Sequence, residues 1–461
     1  MEDQASYNPH PSPSIPSSSS SESRRNSFQS GPTTMHALTA ISSALFDVDG
    51  VPLHRHPDLW FEDGSVICRA ENTLFFVHMS QLARHSVCFR DMFSIGTHSP
   101  DPRSSIRSES GTIEFSDYPV ITLHDSAEDL GNLFTALYDG PNFGNNDPND
   151  FRVVSGVLRL STKYIVDSLR EKAIVHLSQA WPTTLRGWDT REDIARAFEM
   201  KTGSSSGHMY PSPIAVINLA REVDAPTLLP SAFYDLCRYT CSQIFEPSED
   251  DPLYYVPSNI SSTPHSPAPH CPIQLSLTDT QRLCLGKESA LNAITTLIQS
   301  MSHSQSIRNS GVQLQSAFSL SHPLAPNPTH SSLIPHASGH HNPYHIHFAN
   351  HRRSSSNLIC ISAAACRKDF SELVELATQH YVFDRERGFS DPLYVAEELG
   401  QLKSVEFSNS DAPECKACAR SLELWAARER ERIWRMVPVW FRLSADVGAE
   451  RAASPPVVDI N

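Results

Sequence analysis

The sequence predicts an α+β chain: a small, mostly antiparallel sheet flanked by helices, then a mainly α-helical C-terminal region. Three observations predict it. Residues 58–77 hold two runs rich in β-branched and aromatic residues around a short polar turn. Residues 126–140 carry an apolar stripe at helical spacing between a cap and a stop. From about residue 190 the segments between polar loops read as helices.

The elements follow in order. Residues 1–52 are Ser/Pro-rich and read as a disordered arm, because such a composition buries too little apolar surface to offset ordering entropy. "DLWFEDGSVICRA" and "LFFVH", joined by "ENT", read as a β-hairpin. "MSQLARHS" and "CFRDMFS" read as two short helices with Leu82, Phe89 and Phe93 inward and Met92 beside them. A polar insertion runs from about Gly96 to Asp117, and "YPVITLHD" is a third strand. In "SAEDLGNLFTALYDG", Ser126 caps a helix, and Leu130, Leu133, Phe134, Leu137 and Tyr138 share one face. Gly140 and Pro141 end it. Residues 150–181 read as a helical pair with Val154, Val157, Leu158, Ile165 and Leu169 in its core.

Residues 190–300 form a helical region, 301–356 a disordered Ser/His/Pro-rich linker, and 358–443 a second, mostly helical region. Its last helix, "SLELWAARERERIWRMVPVW", carries Leu422, Trp425, Ile433 and Met436 on a stripe interrupted by Glu429. It is expected to stop at Pro438.

Composition limits the function classes. A length of 461 residues gives room for about two or three domains. A formal net charge of -15 argues against direct binding of nucleic acid. No apolar run approaches the roughly 18 residues of a membrane helix, and the first twenty residues lack the apolar stretch of a signal peptide. Ten cysteines are scattered without a dense framework, so an intracellular, reducing location with free thiols is expected, in nucleus or cytoplasm.

Three groups of residues raise the question of chemistry. His78, His85 and Cys88 lie within one short stretch, but a nucleophilic Cys needs a base in reach and an oxyanion site. His78 at a strand-to-helix junction reads instead as a structural residue bonding unpaired backbone groups. "CKAC" (Cys415, Cys418) has zinc-knuckle spacing, and Cys360 and Cys366 are the nearest second pair. His380 is a further donor, and two ordinary thiols are the simpler alternative. "RRNS" (Arg24–Ser27) and "RRSS" (Arg352–Ser355) resemble kinase sites, and "HASGHHNPYHIHFANHRR" reads as a polar linker. Phosphate-binding glycine loops, the nucleophile elbow and the H-E-x-x-H zinc motif are absent, so an enzyme is not expected.

One pattern is more specific. Phe75, His78, Leu82, Ser86, Phe89 and Phe93 follow one another at the spacings of the BTB (POZ) domain. Asp58 stands at the family's acidic position opening the first strand. "ALYDG" (Ala136 to Gly140) and "RLSTKYIV" (Arg159 to Val166) match two further motifs in order. Residues 56–181 therefore resemble a BTB/POZ domain, with an insertion long for the family. The whole chain is similar, through "INLAREVDAPTLLPSAFYDL", to BTB proteins of mushroom-type fungi.

The resemblance implies a BTB/POZ fold and homodimerisation through the first strand and first helix, with Asp58, Leu59, Trp60 and Phe61 at the candidate interface; the alternative is that the N-terminal arm or the insertion after Phe93 folds over these side chains and leaves a monomer. The resemblance implies protein partners, a cullin-RING ubiquitin ligase among them; from charge and hydropathy neither a membrane nor direct contact with nucleic acid is expected. A transcription-associated recruiter is the alternative. A third reading is an enzyme or zinc-stabilised module built on the C-terminal Cys and His residues; otherwise no cofactor is expected.

Overall fold

Val66–Ala70 (β3) and Thr73–Val77 (β4) form the expected hairpin, with Ala70 opposite Thr73 across Glu71 and Asn72. The computed structural model describes residues 45–96, 106–108, 113–203, 209–247, 253, 274–302, 360, 363–383, 390–402 and 415–443. The expected arm up to residue 44, nearly all of the 301–356 linker and both kinase-like motifs lie outside these residues.

The run "DLWFEDGSVICRA" is two strands rather than one. Pro52–Trp60 (β2) ends before a turn in which Gly64 N–H donates to Phe61 O at 3.0 Å. A Cβ on Gly64 would meet the Phe76 ring at 2.7 Å, so only glycine lets the turn sit there. Strand β2 then lies parallel to β4, pairing His54 with Thr73 and Trp60 with Phe76. Asp58 therefore sits near the end of this strand and does not open it. The register shifts between Arg55 and Trp60, where Pro57 has no N–H to offer. There the His56 ring nitrogen Nδ1 accepts from Asp58 N (3.3 Å) and Leu59 N (3.2 Å).

Structure extends into the expected arm and insertion. Leu45–Phe46 (β1) pairs antiparallel with β2. Ile106–Ser108 (β5) pairs with β1, and Ile113–Glu114 (β6) with β5. The reason is the second face of the sheet: Ile67, Leu74 and Phe76 are apolar there, and Leu45, Leu53 and Ile106 cover them. Val120–Leu123 (β7) is parallel to β3, giving the order β6-β5-β1-β2-β4-β3-β7, mostly antiparallel.

Helices close the other face. Met79–His85 (α1) and Val87–Gly96 (α2) follow β4, and Ala127–Tyr138 (α3) follows β7. Ser126 Oγ accepts from Asp129 N at 3.1 Å, as its sequence predicts, and Glu71 Oε2 accepts from Ala127 N at 3.1 Å. Pro148–Lys163 (α4) and Asp167–Ala180 (α5) complete this half. Ile165 is not in the core: it is half exposed at 50 % with φ +54°, because it holds the left-handed position that ends α4.

The rest is helical. Leu185–Thr202 (α6), Pro213–Glu222 (α7), Leu229–Cys237 (α8), Cys241–Phe245 (α9) and Leu277–Ser302 (α10) precede Ala363–Thr378 (α11), Pro392–Gln401 (α12) and Lys416–Trp440 (α13). The two regions expected at 190–300 and 358–443 share one core, which also takes Phe151, Val154 and Leu158 from α4 and Ala173, Leu177 and Trp181 at α5. Pro438 does not stop α13, which continues to Trp440. Sitting in the last turn, Pro438 offers its carbonyl to Leu443 N at 2.8 Å. No helix among the described residues is long and apolar enough to cross a membrane.

Candidate functional site

The residues marked by the sequence pattern converge on the smaller core. Phe75, Leu82 and Phe89 are fully buried, and Phe93 nearly so. Phe75 meets Phe134 edge-on at 5.6 Å, and Phe89 stacks on Tyr164 at 4.5 Å. Buried Ser86 donates to Tyr164 O at 2.5 Å and accepts from Phe89 N at 3.0 Å.

His78 caps the start of α1, but its ring does not bond backbone as expected. Tyr138 Oη accepts from His78 N at 2.9 Å, which leaves its O–H free to donate to His78 Nδ1, also at 2.9 Å. Nε2 then faces Asp63 at 3.2 Å. His85 is exposed and Cys88 packs at the rim of the core. The two rings and the thiol are not assembled as a nucleophile and its base.

The candidate interface side chains mostly turn inward. Leu59 is buried in the smaller core. Trp60 packs against Phe76 at 5.4 Å and Phe115 at 5.5 Å, with the Arg55 guanidinium 4.7 Å over its ring. Phe61 stacks on Tyr138 at 4.7 Å. Asp58 alone of the four is exposed. Part of the insertion, through Phe115, thus covers the aromatic surface that the strand was expected to offer a second subunit.

The four cysteines of the C-terminal region do come together. The Sγ atoms of Cys360, Cys366, Cys415 and Cys418 all lie within 4.8 Å of one another. Cys360 is 3.6 Å from Cys366 and 3.8 Å from Cys418, too far for a disulfide. Cys366, Cys415 and Cys418 are buried, Cys360 partly so. Cys366 lies in the first turns of α11. Cys415 is the cap residue of α13 and Cys418 sits in its first turn. Burial, and after it the hydrogen bonds of the neighbouring thiols, push the Cys418 thiol well above its ordinary range; burial likewise raises Cys366. His380 is not one of the converging donors; its ring lies 5.0 Å from that of Tyr381.

One further constellation had no signal in the sequence. The Arg191 guanidinium is buried between the rings of Trp181 (4.8 Å), Trp188 (4.7 Å) and Tyr210 (4.6 Å), and pairs with Asp235 at 2.6 Å. Beside it lies a cavity of about 520 Å³, with Arg238 and Asp391 among its walls. Tyr234 donates to Asp391 at 2.7 Å and accepts from Leu393 N at 3.1 Å, tying α8 to the start of α12. An arginine cage of this kind depends on residues far apart in sequence, so no local motif announces it.

No protein-family model matches the chain, and no curated protein matches it.

Proposed function

We propose that this chain is a non-enzymatic protein-interaction protein built on a BTB-like module. It dimerises and delivers a bound protein to a larger assembly, a cullin-RING ubiquitin ligase first among them. The observation that carries the reading is the convergence of Phe75, Leu82, Phe89 and Phe93 on one core with Tyr164, to which Ser86 is hydrogen-bonded. His78 and Cys88 serve packing and hydrogen bonding there, which suits a binding frame.

The dimer face is drawn on α1 and the start of α2, where Arg84 and Val87 are exposed, since Trp60 and Phe61 have partners within the chain. A two-fold assembly needs one self-complementary patch of this kind.

Light scattering on the full chain tests the reading, with calorimetric titration of a purified cullin beside it. The expected result is twice the chain mass at micromolar concentration, and a monomer of unchanged circular dichroism for Val87→Asp. A wild type that stays monomeric and binds no cullin would overturn the proposal.

A further inference from the structure

We infer that Cys360, Cys366, Cys415 and Cys418 together hold one zinc ion as a closed, structural tetrathiolate centre. The inference rests on a different part of the molecule from the interaction reading and stands without it.

Geometry comes first. With Zn–S bonds of about 2.3 Å, the edge of a regular tetrahedron of sulfurs is about 3.8 Å. The separations of 3.6 and 3.8 Å are those edges, and no pair of the four exceeds 4.8 Å. A disulfide would draw one pair to about 2 Å and give the other two sulfurs no reason to approach. Chance clustering of thiols in an apolar core is a poorer account. These four come from two segments 58 positions apart at the extremes, and each segment delivers both of its sulfurs to one point.

Electrostatics agrees. A tetrathiolate zinc retains negative charge, and burial alone disfavours thiolates. Here two helix starts supply the compensation. The first turns of α11 and α13 carry Cys366 and Cys418, and Cys415 caps α13, so the positive ends of both helix dipoles lie towards the sulfurs. As each Zn–S bond forms, the cysteine concerned releases its thiol proton to solvent.

The coordination is closed. All four positions are cysteine, three of them buried, which leaves no open site for a reacting ligand. The role that follows is mechanical. Helices α11 and α13 each pack on α10, and the centre fastens their starts to each other, closing the long chain excursion between Cys366 and Cys415.

The test uses the full chain purified under reducing conditions. Elemental analysis should find about one zinc per chain. Replacement of zinc by Co2+ should give intense thiolate-to-cobalt charge-transfer bands and the visible bands of tetrahedral cobalt. Cys418→Ser should lose the metal and unfold at lower temperature. Cys284→Ser, at an exposed cysteine outside the group, should keep both metal and stability. Should Cys418→Ser fail to fold, the wild-type cobalt spectrum decides alone. Reduced wild type without zinc and without cobalt-thiolate bands would overturn the inference. So would disulfides among the four cysteines in its place, or a folded Cys418→Ser protein with an unchanged cobalt spectrum.

Discussion

The Ser86 hydroxyl spans 78 positions of sequence to reach the Tyr164 carbonyl, and it also takes the N–H of Phe89. It joins the turn between α1 and α2 to the end of α4 in a place without water access. Ser86→Ala leaves both backbone groups buried and unpaired. The expected loss is about 1–3 kcal/mol of stability, read from urea denaturation. A loss well below that would mean the Tyr164 carbonyl has found another donor.

Asp47 sets an acid sensitivity. Its carboxylate accepts from Val51 N at 2.8 Å, Asp49 N at 2.9 Å and Arg69 at 2.9 Å. Burial pushes this carboxyl up, but the Val51 N–H, Arg69 and the Asp49 N–H outweigh it and hold it below its ordinary value. The unfolded group titrates at the ordinary value and the folded one lower. Its contribution is therefore complete above the ordinary carboxylate range and lost as pH falls through the folded value. The gap in urea midpoint between wild type and Asp47→Asn should be widest near pH of about 6–7 and shrink below about pH 4. A gap that widens on acidification would contradict this assignment.

Ile165 sits at φ +54° one residue past the cap of α4, where Val166 N bonds Ser161 O at 2.8 Å. A β-branched residue is strained in that conformation, and half of the side chain is in water. Ile165→Gly should therefore raise stability, by about 1 kcal/mol. Equal or lower stability in thermal and urea melts would show that its remaining contacts outweigh the strain.

Gly286 of α10 faces Phe441, and a Cβ added there would stand 1.8 Å from the ring. Phe441 in turn stacks on Phe233 at 5.2 Å. Gly286→Ala must displace a buried aromatic, at a cost of about 3 kcal/mol, seen as a lower unfolding midpoint and a changed near-ultraviolet spectrum. Combining it with Phe441→Leu should recover part of the loss.

Local signals carried far in this chain where a residue's role is set by its neighbours. Ser126 and the stripe of α3 lie where capping and short-range periodicity put them, and Leu82, Phe89 and Phe93 are buried as expected of the two short helices. The metal-ligand spacing of Cys415 and Cys418, with Cys360 and Cys366 named as its partners, also identified the four sulfurs that meet.

What escaped depends on non-local or cryptic geometry. Strands β1, β5 and β6 have few residues and form only because Ile67, Leu74 and Phe76 leave an apolar face to cover. Ile165 reads as a core residue because nothing local marks it for the left-handed position after α4, which glycine usually takes. Pro438 reads as a stop because proline breaks helix interiors, yet it lies in the last turn of α13, where few residues follow it in the helix. The sequence left open whether the insertion after Phe93 covers Trp60, because Phe115, which packs on it, is a lone aromatic in a segment that reads as polar.

Helices α4 and α5 send some side chains into the smaller core (Val157, Leu160, Leu169) and others into the larger one (Phe151, Val154, Leu177). A gene fusion with its joint after residue 181 would carry away a protein whose own last helices show a raw apolar flank to solvent. The N-terminal half is therefore not freely exchangeable by recombination. Any new tail joined to it must bring a surface shaped to Phe151, Val154 and Leu177, so the two halves are expected to be inherited as a pair.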